Sequence, residues 1–330
     1  MNTTLPGQLV REGGEERSGW RLTLPTTRPA LDPTRVREHR HPLEKVALLL
    51  SLLILMLVLG VGAWREDWLI LKAIFAVWFA MIVLAFQAGT VHTLRGAEVT
   101  STQYPKLYEI FDEVRRQFNA PPTRVFVIRD NRAQAHAYGI RPPYTIVFHS
   151  AMLESMQLDE LRFVMGQQLG RIVYGQTRMI VPLGGDAEAL PSLLAQFTWL
   201  RDLVFAWYRR ISVLSADRAG ALACQDMEVA VRTLVKLGVG SHQYSDLQGD
   251  DLVDQAYWLS QGTGRVQATI IWITNAEPPM VRRLEKLIAW GGLPKLPEAL
   301  VDAAAPTVPF PDGDRASSLP LQERDEGGGR

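Results

Sequence analysis

A chain of 330 residues with 35 basic and 35 acidic side chains has no net charge at neutral pH, so it carries no general electrostatic attraction for nucleic acid. Its single cysteine, Cys224, excludes an intrachain disulfide and reads as a small buried apolar residue rather than a reactive thiol. The length admits one sizeable domain with appendages, or two small domains.

Residues 1–44 are polar, hold several prolines and glycines and lack a helical apolar period, which predicts a disordered cytoplasmic leader. From Val46 to Trp64 no charged residue occurs and Leu, Ile, Val and Met dominate. At about 1.5 Å per residue a helix over this run matches the hydrocarbon core of a bilayer. Arg65-Glu66-Asp67 interrupts, and a second apolar run extends from Trp68 to Gly89. Lys72 lies one turn inside that run, where its amine can snorkel to the interface. Trp64, Trp68 and Trp78 supply interfacial rings. These features predict a two-helix transmembrane hairpin over residues 45–91, with the lipid bilayer as a partner. A signal peptide fits poorly, because a long segment precedes the first run and a second span follows at once. Arg35, Arg37, Arg40 and Lys45 flank the entry and Arg95 the exit, against Arg65 alone in the connection. That bias predicts a multi-pass protein of the cell (inner) membrane, with the following domain facing the cytoplasm.

The part after the hairpin opens with a helix, in which Leu107, Ile110, Phe111, Val114 and Phe118 recur at helical spacing behind Pro105. Arg124–Ile128 and Tyr144–His149 read as strands. A helix is expected from about Leu158 to Tyr174, and a long one from about Ser215 to Leu237. Residues 190–208 are strongly apolar but contain Arg201 and Asp202, which favours a buried or membrane-surface helix over a third span. Mixed helical material runs on to Trp290, and residues 296–330 read as a disordered tail.

Several stretches, in order, resemble the HtpX and CAAX-prenyl-protease type of membrane zinc metallopeptidase, over roughly residues 46–290. Tyr104-Pro105-Lys106-Leu107-Tyr108 resembles the family's helix-opening motif, and Gln134-Ala135-His136-Ala137-Tyr138-Gly139 its "NAfAfG" segment, with Gln134 where Asn is usual. Thr145, Ile146, Val147, Phe148, His149 and Ser150 resemble its edge strand. Leu158–Gly166 resembles the opening of the active-site helix, and Ser215–Gly220 the second site helix. The resemblance implies an α+β, mainly helical fold: a transmembrane hairpin, then a zincin-like domain over residues 92–295 with a small β-sheet.

In that family two histidines at i and i+4 share one helical face and hold zinc, and a glutamate beside the first is the general base. A glutamate on a second helix completes the ligand set, with an aspartate four residues later in support. By the resemblance these positions fall on Gln167, Gln168, Arg171 and Val213, and only the supporting Asp217 keeps its type. Amides are feeble zinc donors, a guanidinium repels a dication, and Val has nothing to coordinate with. No catalytic residue, metal ligand or cofactor is therefore expected, although zinc is usual for the family. An ion pair between Arg171 and Asp217 is expected to fill the vacated cavity. Among the six histidines, His136 and His149 alone lie near the expected cleft, and neither forms an i, i+4 pair with another strong ligand.

The resemblance implies a membrane-anchored pseudoprotease with a binding or regulatory role in membrane-protein quality control. Extended polypeptides at Thr145–His149, or an active homologous protease, are its expected partners, and nucleic acid is not. Two other readings stand beside it. One is an active zinc endopeptidase using non-standard ligands. The other is a membrane enzyme that holds an anionic substrate on Gln167, Gln168 and Arg171.

Overall fold

A computed structural model describes residues 32–66, 68–180, 198–239 and 278–291. It is mainly helical, with one small mixed sheet.

Helix α1, Leu43–Trp64, forms from a run of strong helix formers without an interior charge beyond its first turns. By length and composition it qualifies to cross a membrane. Leu49, Leu53, Met56 and Leu57 stand exposed along it, whereas Ala47 and Ser51 are buried. After a turn at Arg65 and Glu66, α2 runs from Trp68 to Arg95, beyond the Gly89 limit read from hydropathy, and Leu71–Val83 is its shorter apolar stretch. The two helices touch where Gly62 faces the Leu71 side chain.

The leader expectation fails at its C-terminal end. Residues Pro33–His39 form a 3-10 helix opened by Asp32, which accepts a hydrogen bond from the Thr34 amide at 2.9 Å. Val36 is buried in the main core, and the Tyr174 hydroxyl donates to its carbonyl at 2.9 Å. Order here comes from distant partners, which a local apolar period does not register. Residues 1–31 and the tail at 296–330 lie outside the described residues.

Four strands make the sheet: β1 (Ala97–Glu98), β2 (Thr123–Ile128), β3 (Ala135–Tyr138) and β4 (Tyr144–His149), in the order β1-β2-β4-β3. β2 and β4 run parallel from Thr123↔Tyr144 to Ile128↔His149, and β3 lies antiparallel on β4 with Ala137 opposite Ile146. Both central strands are almost wholly buried, as the continuous apolar runs of β2 and β4 require. Helix α3 (Pro105–Gln117) buries Leu107, Ile110, Phe111 and Val114, the predicted stripe. The short α4 (Ser150–Ser155) follows β4.

Helix α5 (Leu158–Val173) matches its predicted span. Its N-terminus is held by Glu160, which is fully buried, accepts from the Gln157 amide at 2.9 Å, and pairs with Arg232 at 2.9 Å and Lys236 at 2.8 Å. Those cations project from α8 (Met227–Val239), after the one-turn α6 (Thr177–Ile180) and the long α7 (Thr198–Cys224). The single helix expected over Ser215–Leu237 is thus two helices. Gln225 breaks it at φ 57°, and the Asp226 carboxylate caps the next helix by accepting from the Glu228 amide at 2.8 Å. Of the apolar segment 190–208, the part from Thr198 begins α7, and residues 190–197 lie outside the described residues. Helix α9 (Met280–Trp290) buries Leu284, Leu287 and Ile288 in the main core.

Candidate functional site

The site is built on the crossing of α5 and α7. Gly166 and Gly170 recur at i, i+4 on α5 and meet Ala219 and Ala223 of α7; a Cβ on either glycine would collide with an alanine methyl. Small residues on both faces let the helix backbones approach closely, and so bring the side chains of Gln167 and Asp217 together.

Asp217 is 1% exposed and fully engaged. Gln167 donates from Nε2 to Oδ1 at 2.7 Å. Arg283, reaching in from α9, donates from Nη2 to Oδ1 at 2.7 Å and from Nε to Oδ2 at 2.9 Å. A planar guanidinium against a carboxylate in this side-on fork makes two charge-assisted hydrogen bonds in a fixed geometry. The Arg171–Asp217 pair expected from the sequence is therefore replaced by Arg283–Asp217. Three donors from Gln167 and Arg283 already occupy the two carboxylate oxygens.

Arg171 lies one turn beyond Gln167, close enough to Tyr208 of α7 for their charges to interact. No carboxylate lies within ion-pair distance of it among the described residues, and its Nε is buried without an acceptor. Gln168 is 5% exposed, and no described residue accepts from or donates to its side-chain amide. Val213 is buried one turn before Asp217.

This donor set does not fit a zinc ion. Gln167 presents its NH2 group to Asp217, because a carboxylate can only accept, and this leaves only a neutral amide oxygen, a feeble zinc donor, where the first imidazole would stand. Arg171 and Val213 offer no lone pair to a metal. Among the described residues no group of three or more His, Cys, Asp or Glu side chains is arranged to hold a metal. The structure does bring His136 and His149 together, with ring centroids 5.6 Å apart on neighbouring strands, and sets His149 Nδ1 3.8 Å from Asp130. Asp130 is held down to about 2, first by its hydrogen bond to the Arg132 side chain, and belongs to that pair.

The strand assignment also changes. Thr145, Ile146, Val147, Phe148 and His149 lie on β4, whose two edges are taken by β2 and β3. Ile146, Val147 and Phe148 are fully buried. A strand with both neighbours in place has no free backbone groups to offer, and among the described strands the outermost on this side is β3, Ala135–Tyr138. The "NAfAfG"-like segment marked that stretch in the sequence without revealing its position in the sheet.

With the two site helices, the sheet and the arginine from α9 in place, the match to known proteins has a structural frame. Residues 101–291, more than half of the chain, match Peptidase family M48. The chain belongs to this family. Its matched region starts just before α3 and ends just after α9, so it includes every residue of the cluster around Asp217. A relative from Arabidopsis thaliana, "Plastoglobule-localized metallopeptidase 48, chloroplastic", is 25% identical over 258 residues, covering 74% of this chain and 69% of that one. Arg283 is the M48 cluster member that the sequence reading missed. Two consecutive arginines on a short amphipathic helix gave no sign of which one turns inward.

Proposed function

We propose that this M48 family member is a membrane-anchored pseudoprotease that binds extended polypeptide and does not cleave it. The observation that carries this reading is the Asp217 cluster: an arginine and an amide, both donors, stand at the carboxylate that would support a metal ligand. Gln168 at the general-base position cannot accept a proton from water at neutral pH. The position of β3 beside α5, as the outer strand of the sheet among the described residues, supports binding by strand addition, which needs backbone groups and no metal.

Membrane anchoring rests on α1, whose exposed apolar side chains suit lipid, and on α2 as the second arm of a hairpin. A second apolar cluster joins Ala47 of α1 to Phe205, Tyr208 and Ile211, so the first half of α7 runs alongside the anchor. Cytoplasmic placement of the domain follows the basic bias around Arg35, Arg37, Arg40 and Lys45. A tethered peptide-binding cleft suits a role in membrane-protein quality control, either holding segments or partnering an active homologue.

The test is metal analysis of the full chain purified in detergent, together with a casein-type proteolysis assay with and without chelator. We expect far less than about one equivalent of zinc and no chelator-sensitive cleavage. Near-stoichiometric zinc with cleavage that chelator abolishes would establish the alternative, an active endopeptidase with non-standard ligands.

A further inference from the structure

We propose that the face where the 3-10 helix Pro33–His39, the first turn of α1 and the end of α9 meet is a contact surface for the phosphate headgroups of anionic phospholipid. The proposal rests on the reading of α1 as a membrane anchor and adds which lipid that anchor meets.

Segments distant in sequence build this face. His39 meets the Trp290 ring edge-on at 5.5 Å, and the Arg218 guanidinium lies 5.8 Å from the centre of the same ring. Arg218 also donates to the His39 carbonyl at 3.4 Å. Lys286 stands one turn before Trp290 on α9, and so on the same side of that helix. It is exposed, and its charge and that of Arg218 both act on the His41 ring. Exposed Arg37 precedes the two histidines and exposed Lys45 follows them.

The carboxylates that the described residues bring to this face answer neighbouring cations. Asp32 and Glu38 lie 3.7 Å and 3.9 Å from Arg35, and Glu44 is buried beneath Arg40 at 2.9 Å. Glu285 is shared between Arg282 at 2.8 Å and Lys286 at 3.7 Å. Among the described residues here, cations outnumber carboxylates.

Position decides which anion this charge meets. Leu43, Val46, Leu49 and Leu50 are exposed on α1 around Lys45. With α1 in a bilayer, the hydrocarbon layer therefore begins at this turn, and the Lys45 amine reaches back to its boundary. Lipid phosphates lie at that level, and tryptophan rings favour it too. Lys and Arg beside a membrane span are drawn to an anionic leaflet, within a Debye length of its surface. A face that sets Arg37, Lys45, Lys286 and Trp290 around the start of an anchor has the chemistry of that layer.

The experiment reconstitutes the full chain into vesicles of phosphatidylcholine, and into vesicles that also contain phosphatidylglycerol with the same acyl chains. Thermal midpoints are read by tryptophan fluorescence, and flotation with phosphatidylcholine vesicles at high salt reads the anchor alone. We expect the anionic lipid to raise the midpoint by about 5 °C at low salt, and by less at high salt. Arg37→Gln, Lys45→Gln and Lys286→Gln together should remove that rise and leave the midpoint in phosphatidylcholine unchanged. Equal midpoints of the unaltered chain in the two lipids, as expected were carboxylates of the chain itself to cover these cations, overturn the inference and leave the anchor standing. Failure to float with phosphatidylcholine overturns the anchor reading and this inference with it. An equal rise from inorganic phosphate added to phosphatidylcholine vesicles marks a site for free anions and also overturns it. Should the triple variant fail to fold, the two lipids compared on the unaltered chain still decide.

Discussion

At Asp217 three donors converge on one carboxylate, and the energetics of that arrangement decide what holds the site together. A buried ion pair gains little over a well-packed apolar substitute, but an orphaned partner is expensive. Arg283→Met leaves Asp217 buried with the Gln167 amide alone, and should lower stability by about 3–5 kcal/mol. The double variant Arg283→Met with Asp217→Leu should recover most of that loss, because no unpaired charge remains. Chemical denaturation of the detergent-solubilised chain measures both. If the double variant loses the sum of the two single losses, the pair is not an energetic unit and the cluster is incidental. The positions at issue were legible in the sequence because they obey a local rule: Gln167, Gln168 and Arg171 fall on one helix at fixed spacing. Their partner was not. Arg283 lies 66 residues from Asp217, and nothing local distinguishes it from Arg282, which turns instead to Glu285.

Among the elements, the segment ahead of α1 is the most informative. It is pinned at several points: Tyr174 to the Val36 carbonyl, Arg218 to the His39 carbonyl at 3.4 Å, and the His41 amide to Ser215 Oγ at 3.1 Å. His39 also meets the Trp290 ring edge-on. These contacts tie the approach to α1 onto α5, α7 and α9, the helices that carry the site. Burial pushes the His41 imidazole down from 6.5 to about 4, helped by Arg218 and Lys286, and its Nδ1 accepts from the Leu43 amide only while unprotonated. His39 is lowered in the same direction, chiefly by burial. Between about 4 and 6.5 the unfolded chain binds a proton at His41 that the folded chain refuses. Stability from this source is therefore complete above 6.5 and is lost as pH falls towards 4. Thermal midpoints across that range should fall with acidity, and His41→Gln should flatten the fall; an unchanged slope would remove His41 from the explanation. Elements with strong periodicity, α3, α5, β2 and β4, could be read directly from sequence. Sheet order could not: that β4 is central and β3 the edge depends on pairing across the fold, which alternation within a strand does not encode.

At the scale of the whole molecule, the apolar helix α1 and the site are joined by direct packing. Glu44, in the first turn of α1, is fully buried against Ser215 and Gln176, and the first half of α7, whose far half carries Asp217, packs along α1. The orientation of α1 in a bilayer thus fixes which side the cleft faces. The proposed topology, which rests on the basic residues before α1 and after α2, has both ends of the hairpin in the cytoplasm and the connection at Arg65 outside. Cysteine accessibility tests this directly, because the chain has one thiol to contend with. Cys224 is pushed up to about 12 by burial, so it stays protonated and slow to react near neutral pH. Arg65→Cys in the exposed connection should be labelled in intact cells by a membrane-impermeant maleimide. Ser101→Cys, exposed just before α3, should be labelled only after the membrane is opened. The reverse pattern would put the cleft outside the cytoplasm. Labelling of both positions from outside would mean that α1 and α2 do not cross as a pair, and the contact between α1 and α7 would then have to be explained without a membrane-spanning hairpin.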